Sequence, residues 1–284
     1  RLDVGECERA PGEFHAGQGK ERHTAAAPGL PGGYAPGVLV LLPPSETKAD
    51  GGKGAPLDLD ALSFPELNPV RAKLADALVE LAGDVPASLA ALGISARQAD
   101  EVTRNAQLWT SPTMPALRRY TGVLYDALDV KSFTRAGLAK AQQRLAVTSS
   151  LFGVVAATDP IPAYRLSGGN RVPALGTVRG LWKPVLEPVL RDVEGLLVDL
   201  RSGTYAAFAK LRSDAVTVRV VTEDANGNRT TVSHFNKAYK GKLAAVLATS
   251  RSEPSTVDQL VRVISKAGLT VERTGEHALE LLTD

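Results

Sequence analysis

The chain has one cysteine, Cys7, and four histidines, His15, His23, His234 and His277. A single thiol excludes an internal disulfide and any thiolate cluster, in agreement with a reducing compartment. The histidines show no i,i+4 pairing and stand beside no cysteine or carboxylate at ligand spacing, so no metal site is expected. Long apolar runs are also lacking: none approaches the roughly 20 residues that span a bilayer. The N-terminal segment does not have the basic-then-apolar order of a secretory signal. No membrane partner is expected, and a cytoplasmic location is. Around Gly51-Gly52-Lys53-Gly54 neither G-x-x-x-x-G-K-[ST] nor G-x-G-x-x-G can be written, so the glycines do not spell a phosphate loop and no cofactor is expected.

What is present is ordinary in bulk and uneven along the chain. At 284 residues and 44% apolar, a full core is feasible. The net charge of +2 is too small to identify a nucleic-acid binder, so its distribution matters more. From Arg229 to Lys242 there are four bases and no acid, whereas Ser252 to Asp284 holds six acids against three bases. Arg1 to Pro36 is rich in Gly, Pro, Ala and charge without periodicity, and reads as a disordered leader or as upstream sequence. Residues 37–284 read as one domain.

Gly37 to Leu42, GVLVLL, looks like a central strand that runs into Pro43-Pro44-Ser45-Glu46-Thr47-Lys48. An open sheet holds its ligand groups just past strand ends, which locates Ser45, Glu46 and Lys48 for work. Asn68-Pro69 opens a helix whose Val70, Leu74, Leu78 and Leu81 recur at helical spacing. Leu89 to Ile94 is a short helix and a glycine turn, and Ser95 caps the next helix; this leaves a helix–turn–helix or helix-hairpin-helix arrangement open beside a plain connection. Arg118-Arg119-Tyr120 to Tyr125 sets two bases and two tyrosines around a glycine, either to stack a base and hold a phosphate or to edge the core. Thr134 to Leu145 is a further amphipathic helix.

Val147 to Arg165 is the stretch around which the chain is arranged. It reads as a buried strand reaching Ser149 and Ser150, a break at Gly153, and a rigid turn through Asp159-Pro160 and Pro162 that places Tyr164 and Arg165. The helix beyond it turns Leu181, Val185 and Leu190 inward. Leu196 to Leu200 is a second buried strand with a polar end, Arg201, Ser202, Gly203, Thr204 and Tyr205. Val216 to Thr222 and Arg229 to Phe235 form a hairpin around Asp224-Ala225-Asn226-Gly227. Ser233 to Lys242 starts a helix whose Lys237 and Lys240 share a face near its N-terminus, where an anion is favoured. A helix over Ser255 to Ala267 and a strand near Thr270 to Arg273 close the chain.

Five of these pieces, in this order and spacing, resemble the YaaA family of peroxide-stress proteins. They are Pro43 to Lys48, Tyr120 to Tyr125, Ser149 to Val154 followed by Pro162 to Leu166, Asp199 to Phe208, and Ser233 to Gly241. The resemblance runs from about Val38 to Leu247. It implies an α+β fold, one mixed β-sheet wrapped by helices, in a cytoplasmic protein that limits oxidative damage to DNA. It also implies a positively charged cleft, lined here by Lys48, Tyr120, Tyr164, Arg165, Lys237 and Lys240, and a helix-hairpin-helix element. The Leu89 to Ser95 turn lacks the pair of glycines such an element carries.

Two functions follow as expectations. In the first, the chain binds duplex or partly single-stranded DNA, with lysine and arginine on phosphates and tyrosine on exposed bases; Arg119, Ser202 and Tyr205 join the residues above as anion or nucleic-acid contacts. In the second, the same pocket is an enzyme site for a small anionic or nucleobase-containing ligand, with Lys48 or Lys237 as base or nucleophile. Direct iron sequestration finds no carboxylate–histidine set to support it.

Overall fold

Val38–Leu42 (β1) is buried at every residue, as its unbroken apolar run requires of a strand covered on both faces. A computed structural model describes residues 37–231 and 233–283 of the chain. The leader expected over residues 1–36 lies outside them. Parallel to β1 run Leu145–Ser149 (β2) on one side and Leu196–Asp199 (β4) on the other. Gly153–Ala156 (β3) turns back antiparallel on β2. Beyond β4 the sheet continues in parallel through Val216–Glu223 (β5) and Ala278–Leu282 (β7), and ends at the antiparallel Val271–Gly275 (β6). The result is an eight-stranded mixed sheet in the order β6-β7-β5-β4-β1-β2-β3, the eighth strand being a two-residue piece, Arg229–Thr230, paired with β5.

Helices wrap this sheet. Asn68–Leu81 (α1), Val85–Leu92 (α2) and Ala99–Ala106 (α3) pack together, and α2 ends at Gly93, whose φ of 64° gives the left-handed turn. Asn68 does not cap α1; its side chain instead accepts from Arg71 Nη1 at 2.9 Å. Val123–Leu128 (α4) and Arg135–Arg144 (α5) pack on Ser233–Thr249 (α7), and α5 and α7 both lie against β1. Arg144 ends α5 and donates to Leu247 O and Ser250 O, carbonyls left open at the end of α7. Val178–Arg191 (α6) buries Val178, Trp182, Leu186 and Leu190. Of the expected inward residues Leu190 is buried and Leu181 and Val185 pack half-buried against the core, while Trp182, whose indole donates to Ser150 O at 2.7 Å, lies at the centre of the face. Val257–Lys266 (α8) precedes β6. Among the described residues no helix is long and apolar enough to cross a membrane.

Two polar clamps hold the turns that follow β2. Arg71, fully buried, donates to Phe152 O, Val154 O and Ser63 O at 3.0, 2.7 and 2.8 Å, and so fixes the β2–β3 hairpin to α1. The Asp159 carboxylate accepts from Ser63 N, Ser63 Oγ and Ala156 N, which pins the Asp-Pro turn. The expected hairpin of residues 216–235 is shorter on its second side. Only Arg229–Thr230 pairs, and Ser233 already begins α7.

Candidate functional site

From β1 the chain crosses to β2 on one side of it and later returns to β4 on the other. The carboxyl ends of these three parallel strands therefore open at one place, the position where open sheets bind ligands. β1 delivers Pro43 to Lys48, β2 delivers Ser149, and β4 delivers Asp199 to Arg201. Thr148 Oγ1 and Tyr125 Oη tie down the first of these ends by donating to Leu42 O and Pro43 O at 2.8 and 2.9 Å.

Lys48 lies at the centre. A backbone bridge to Tyr120 fixes its position, and only 7% of it is exposed. Its Nζ donates to Ser45 O at 3.0 Å and Glu46 O at 3.3 Å, and sits 4.1 Å from the Tyr164 ring centroid and 5.6 Å from that of Tyr120. No carboxylate is at hydrogen-bond distance from the amine among the described residues. Desolvation by burial lowers its pKa to about 7, against the opposing pull of Glu46 and with some help from Arg165.

A chain of hydroxyls lies beside it. Tyr164 Oη is 2.8 Å from Ser149 Oγ and 3.0 Å from Tyr120 Oη, and Ser149 Oγ accepts from Phe152 N at 3.0 Å. Burial raises the pKa of both tyrosines, so both remain phenols over the physiological range. Tyr164→Phe keeps the ring under Lys48 but removes the hydroxyl that joins Ser149 to Tyr120. We expect a loss of about 1 kcal/mol on urea unfolding; an unchanged midpoint and slope would mean that the hydroxyl chain contributes nothing to stability.

Arg165 and Tyr205 belong to the same group. Asn105 holds the Arg165 backbone through bonds to its N and O, both 2.8 Å, while Arg165 Nη2 is 3.7 Å from Glu46 Oε2. Tyr205 Oη accepts from Gly168 N at 3.2 Å, and its ring packs on Phe208. Lys240 reaches the end of β4, where Nζ donates to Leu200 O and Arg201 O at 3.0 and 3.1 Å; burial lowers its pKa despite Asp199. Ser202 and Lys237 are exposed, and no described contact joins either to the Lys48 group.

Arg119 needs correction as an anion contact. It is fully buried and donates to Ile161 O, Ala49 O and Pro112 O at 3.1, 2.6 and 3.1 Å. The basic run from Arg229 to Lys242 is likewise partly neutralised. Arg229 pairs with Glu223, Glu272 and Glu280 at 2.7, 2.7 and 2.9 Å, two of which come from the acidic tail.

Sequence reasoning missed two features. Arg201 makes a two-pronged pair with Asp199, 2.9 Å on each side, and thereby shapes the end of β4. Ser45, Thr47 and Thr121 form an exposed hydroxyl cluster beside Lys48, with Thr121 Oγ1 donating to Thr47 Oγ1 at 3.0 Å. The alternation of small hydroxylated residues was visible, but the approach of Thr121 was not. On the outer side of Tyr120 a cleft of about 630 Å³ is lined by Tyr125, Leu117 and Val130, with Arg118, Lys131, Asp126 and Asp129 among its polar groups.

An eight-stranded mixed sheet flanked by helices, with phenols, hydroxyls and a desolvated amine at its switch point, defines a mixed α/β protein. A family model described as peroxide stress protein YaaA matches residues 38–274, and the chain belongs to that family. Its relatives include a UPF0246 protein of Corynebacterium efficiens, 50% identical over 87% of this chain and 99% of the relative. A UPF0246 protein of Corynebacterium glutamicum is 48% identical, over 84% and 97%. One from Streptomyces coelicolor is 42% identical, over 83% and 92%.

Proposed function

We propose that this chain is a cytoplasmic peroxide-stress protein that binds DNA at the cleft beside Tyr120, with preference for a segment containing unpaired bases. The observation that carries this reading is the pair Arg118 and Lys131: both are exposed at the cleft and neither has an ion-pair or hydrogen-bond partner among the described residues. Free cations at the mouth of a cleft suit a phosphate backbone, while the buried rings of Tyr120 and Tyr125 form the cleft wall. Asp126 and Asp129 stand on the same cleft and repel a second strand, which favours a single strand over a duplex.

Fluorescence anisotropy across a sodium chloride series tests this, using a duplex and the same duplex with an unpaired bubble. Binding to the bubble should be tighter. Arg118→Gln combined with Lys131→Gln should make the slope of log K against log salt shallower by about 1.4, at roughly 0.7 per single-strand phosphate contact. A wild-type affinity indifferent to salt, or a slope the double variant leaves in place, overturns the reading.

A further inference from the structure

Lys48 is a buried amine with no carboxylate at hydrogen-bond distance among the described residues. Its Nζ has two hydrogen-bond acceptors, Ser45 O and Glu46 O. A neutral amine has two N–H bonds, so these acceptors satisfy it fully and leave its lone pair free. Beside it stand the Tyr164, Tyr120 and Ser149 hydroxyls, joined in one chain at 2.8 and 3.0 Å. All of this sits at the carboxyl ends of β1 and β2. The carbonyls at the end of β1 itself, Leu42 O and Pro43 O, are bonded by Thr148 and Tyr125 and not by this group.

We propose that Lys48 is a carbonyl-capturing residue, whose Nζ condenses with the aldehyde group of a ligand to form an imine while the Tyr164–Tyr120–Ser149 hydroxyls relay protons. The Nζ lone pair attacks the carbonyl carbon, and the C=O π pair moves to oxygen, which takes up a proton. The carbinolamine then loses its oxygen as water as the C=N bond forms. Over both steps the two hydrogens of the amine leave with the carbonyl oxygen, so no oxidant or reductant is needed.

The charge environment favours this chemistry at neutral pH. An ordinary lysine with a pKa near 10.5 is free base in only about 0.03% of molecules at pH 7. With its pKa lowered to about 7, Lys48 is free base in about half. Burial is the main cause; Arg165 and Arg104 lower the value further, and Glu46 and Glu101 oppose them. The phenols, their own pKa raised by burial, stay protonated and able to donate.

An aldehyde of this kind has two sources, a small free aldehyde or the ring-opened sugar of an abasic site in DNA. Only the second rests on the DNA-binding reading. The full chain is incubated at pH 7 with cyanoborohydride and either glycolaldehyde or an oligonucleotide carrying one abasic site, then digested and mapped by mass. Reduced adduct should accumulate on Lys48 at least tenfold faster than on the exposed Lys53, Lys131 and Lys237, in one arm or both. The arm that labels identifies the source, so failure of DNA binding removes the abasic arm and leaves the glycolaldehyde arm intact. The map is read on the wild-type protein, so it does not depend on a variant that fails to fold. Lys48→Arg should abolish the adduct, and Tyr164→Phe should slow it several-fold without altering labelling of Lys53. Adduct spread over exposed lysines, with Lys48 unlabelled in both arms, overturns the proposal.

Discussion

Arg119→Met should cost about 3–5 kcal/mol of stability, because three backbone carbonyls lose a charged donor at roughly 1–3 kcal/mol each, less what the new packing recovers. In a chain of this size that lowers the melting temperature by roughly 10 °C. The guanidinium of Arg119 joins three separate segments, since Ala49 follows Lys48, Ile161 precedes Tyr164, and Pro112 lies ahead of the cleft. Methionine fills a similar volume but leaves three carbonyls without these donors. Its loss also frees the loops that bring Lys48 and Tyr164 together. Urea unfolding followed by circular dichroism measures the cost. The competing reading, in which Arg119 contacts DNA, predicts the opposite pattern: near-normal stability with weakened binding. A midpoint within about 1 kcal/mol of wild type would restore Arg119 to the ligand contacts.

That contrast shows where sequence reading reaches its limit. β1 and β4 were legible because an unbroken run of Val and Leu has few homes other than a strand covered on both faces. The helices α1 and α5 were legible from periodicity and start signals, although Thr134 caps α5 while Asn68 does not cap α1. β3 and β7 were not. The break at Gly153 was legible, but the segment after it reads as part of a rigid turn, and only its antiparallel pairing with β2 reveals a strand. In β7 the sequence ALELL suits a helix as well as a strand, and parallel pairing with the distant β5 decides the matter.

The site divides in the same way. Strand-end logic located Lys48, and the proline-stiffened turn located Tyr164 and Arg165, because backbone stiffness is a local property. Whether a cation is free is not local. Arg118 and Arg119 are neighbours in sequence, yet one is exposed at a cleft and the other is fully buried among carbonyls. In sequence the bases of Arg229–Lys242 and the acids of the tail stand apart. Folding instead sets Glu272 and Glu280 against Arg229, so part of that charge is cancelled by the strands that pair with β5. Lys237 and Lys240 share a helix but differ in role, one exposed and the other bonded to the end of β4.

Gly241→Ala should lower stability by about 2 kcal/mol, against the direction helix propensity gives. Within an exposed helix the change is favourable by about 1 kcal/mol, because alanine loses less backbone freedom on folding. In α7, however, Gly241 faces α4 at close range. A Cβ there would overlap the Leu124 carbonyl oxygen and lie 2.8 Å from Ala127 Cβ. Overpacking costs about 1–3 kcal/mol and more where the obstacle is backbone, which has no rotamer to yield. The steric cost therefore exceeds the propensity gain. Relief requires α7 to move away from α4, which draws Lys240 from the Leu200 and Arg201 carbonyls and loosens the end of β4. Gly203→Ala is the matched control, since nothing lies within 4 Å of a Cβ at that position, and its midpoint should stay within about 0.5 kcal/mol of wild type. Were Gly241→Ala instead more stable than wild type, the approach of α4 to α7 would be adjustable and the position of Lys240 would not depend on it.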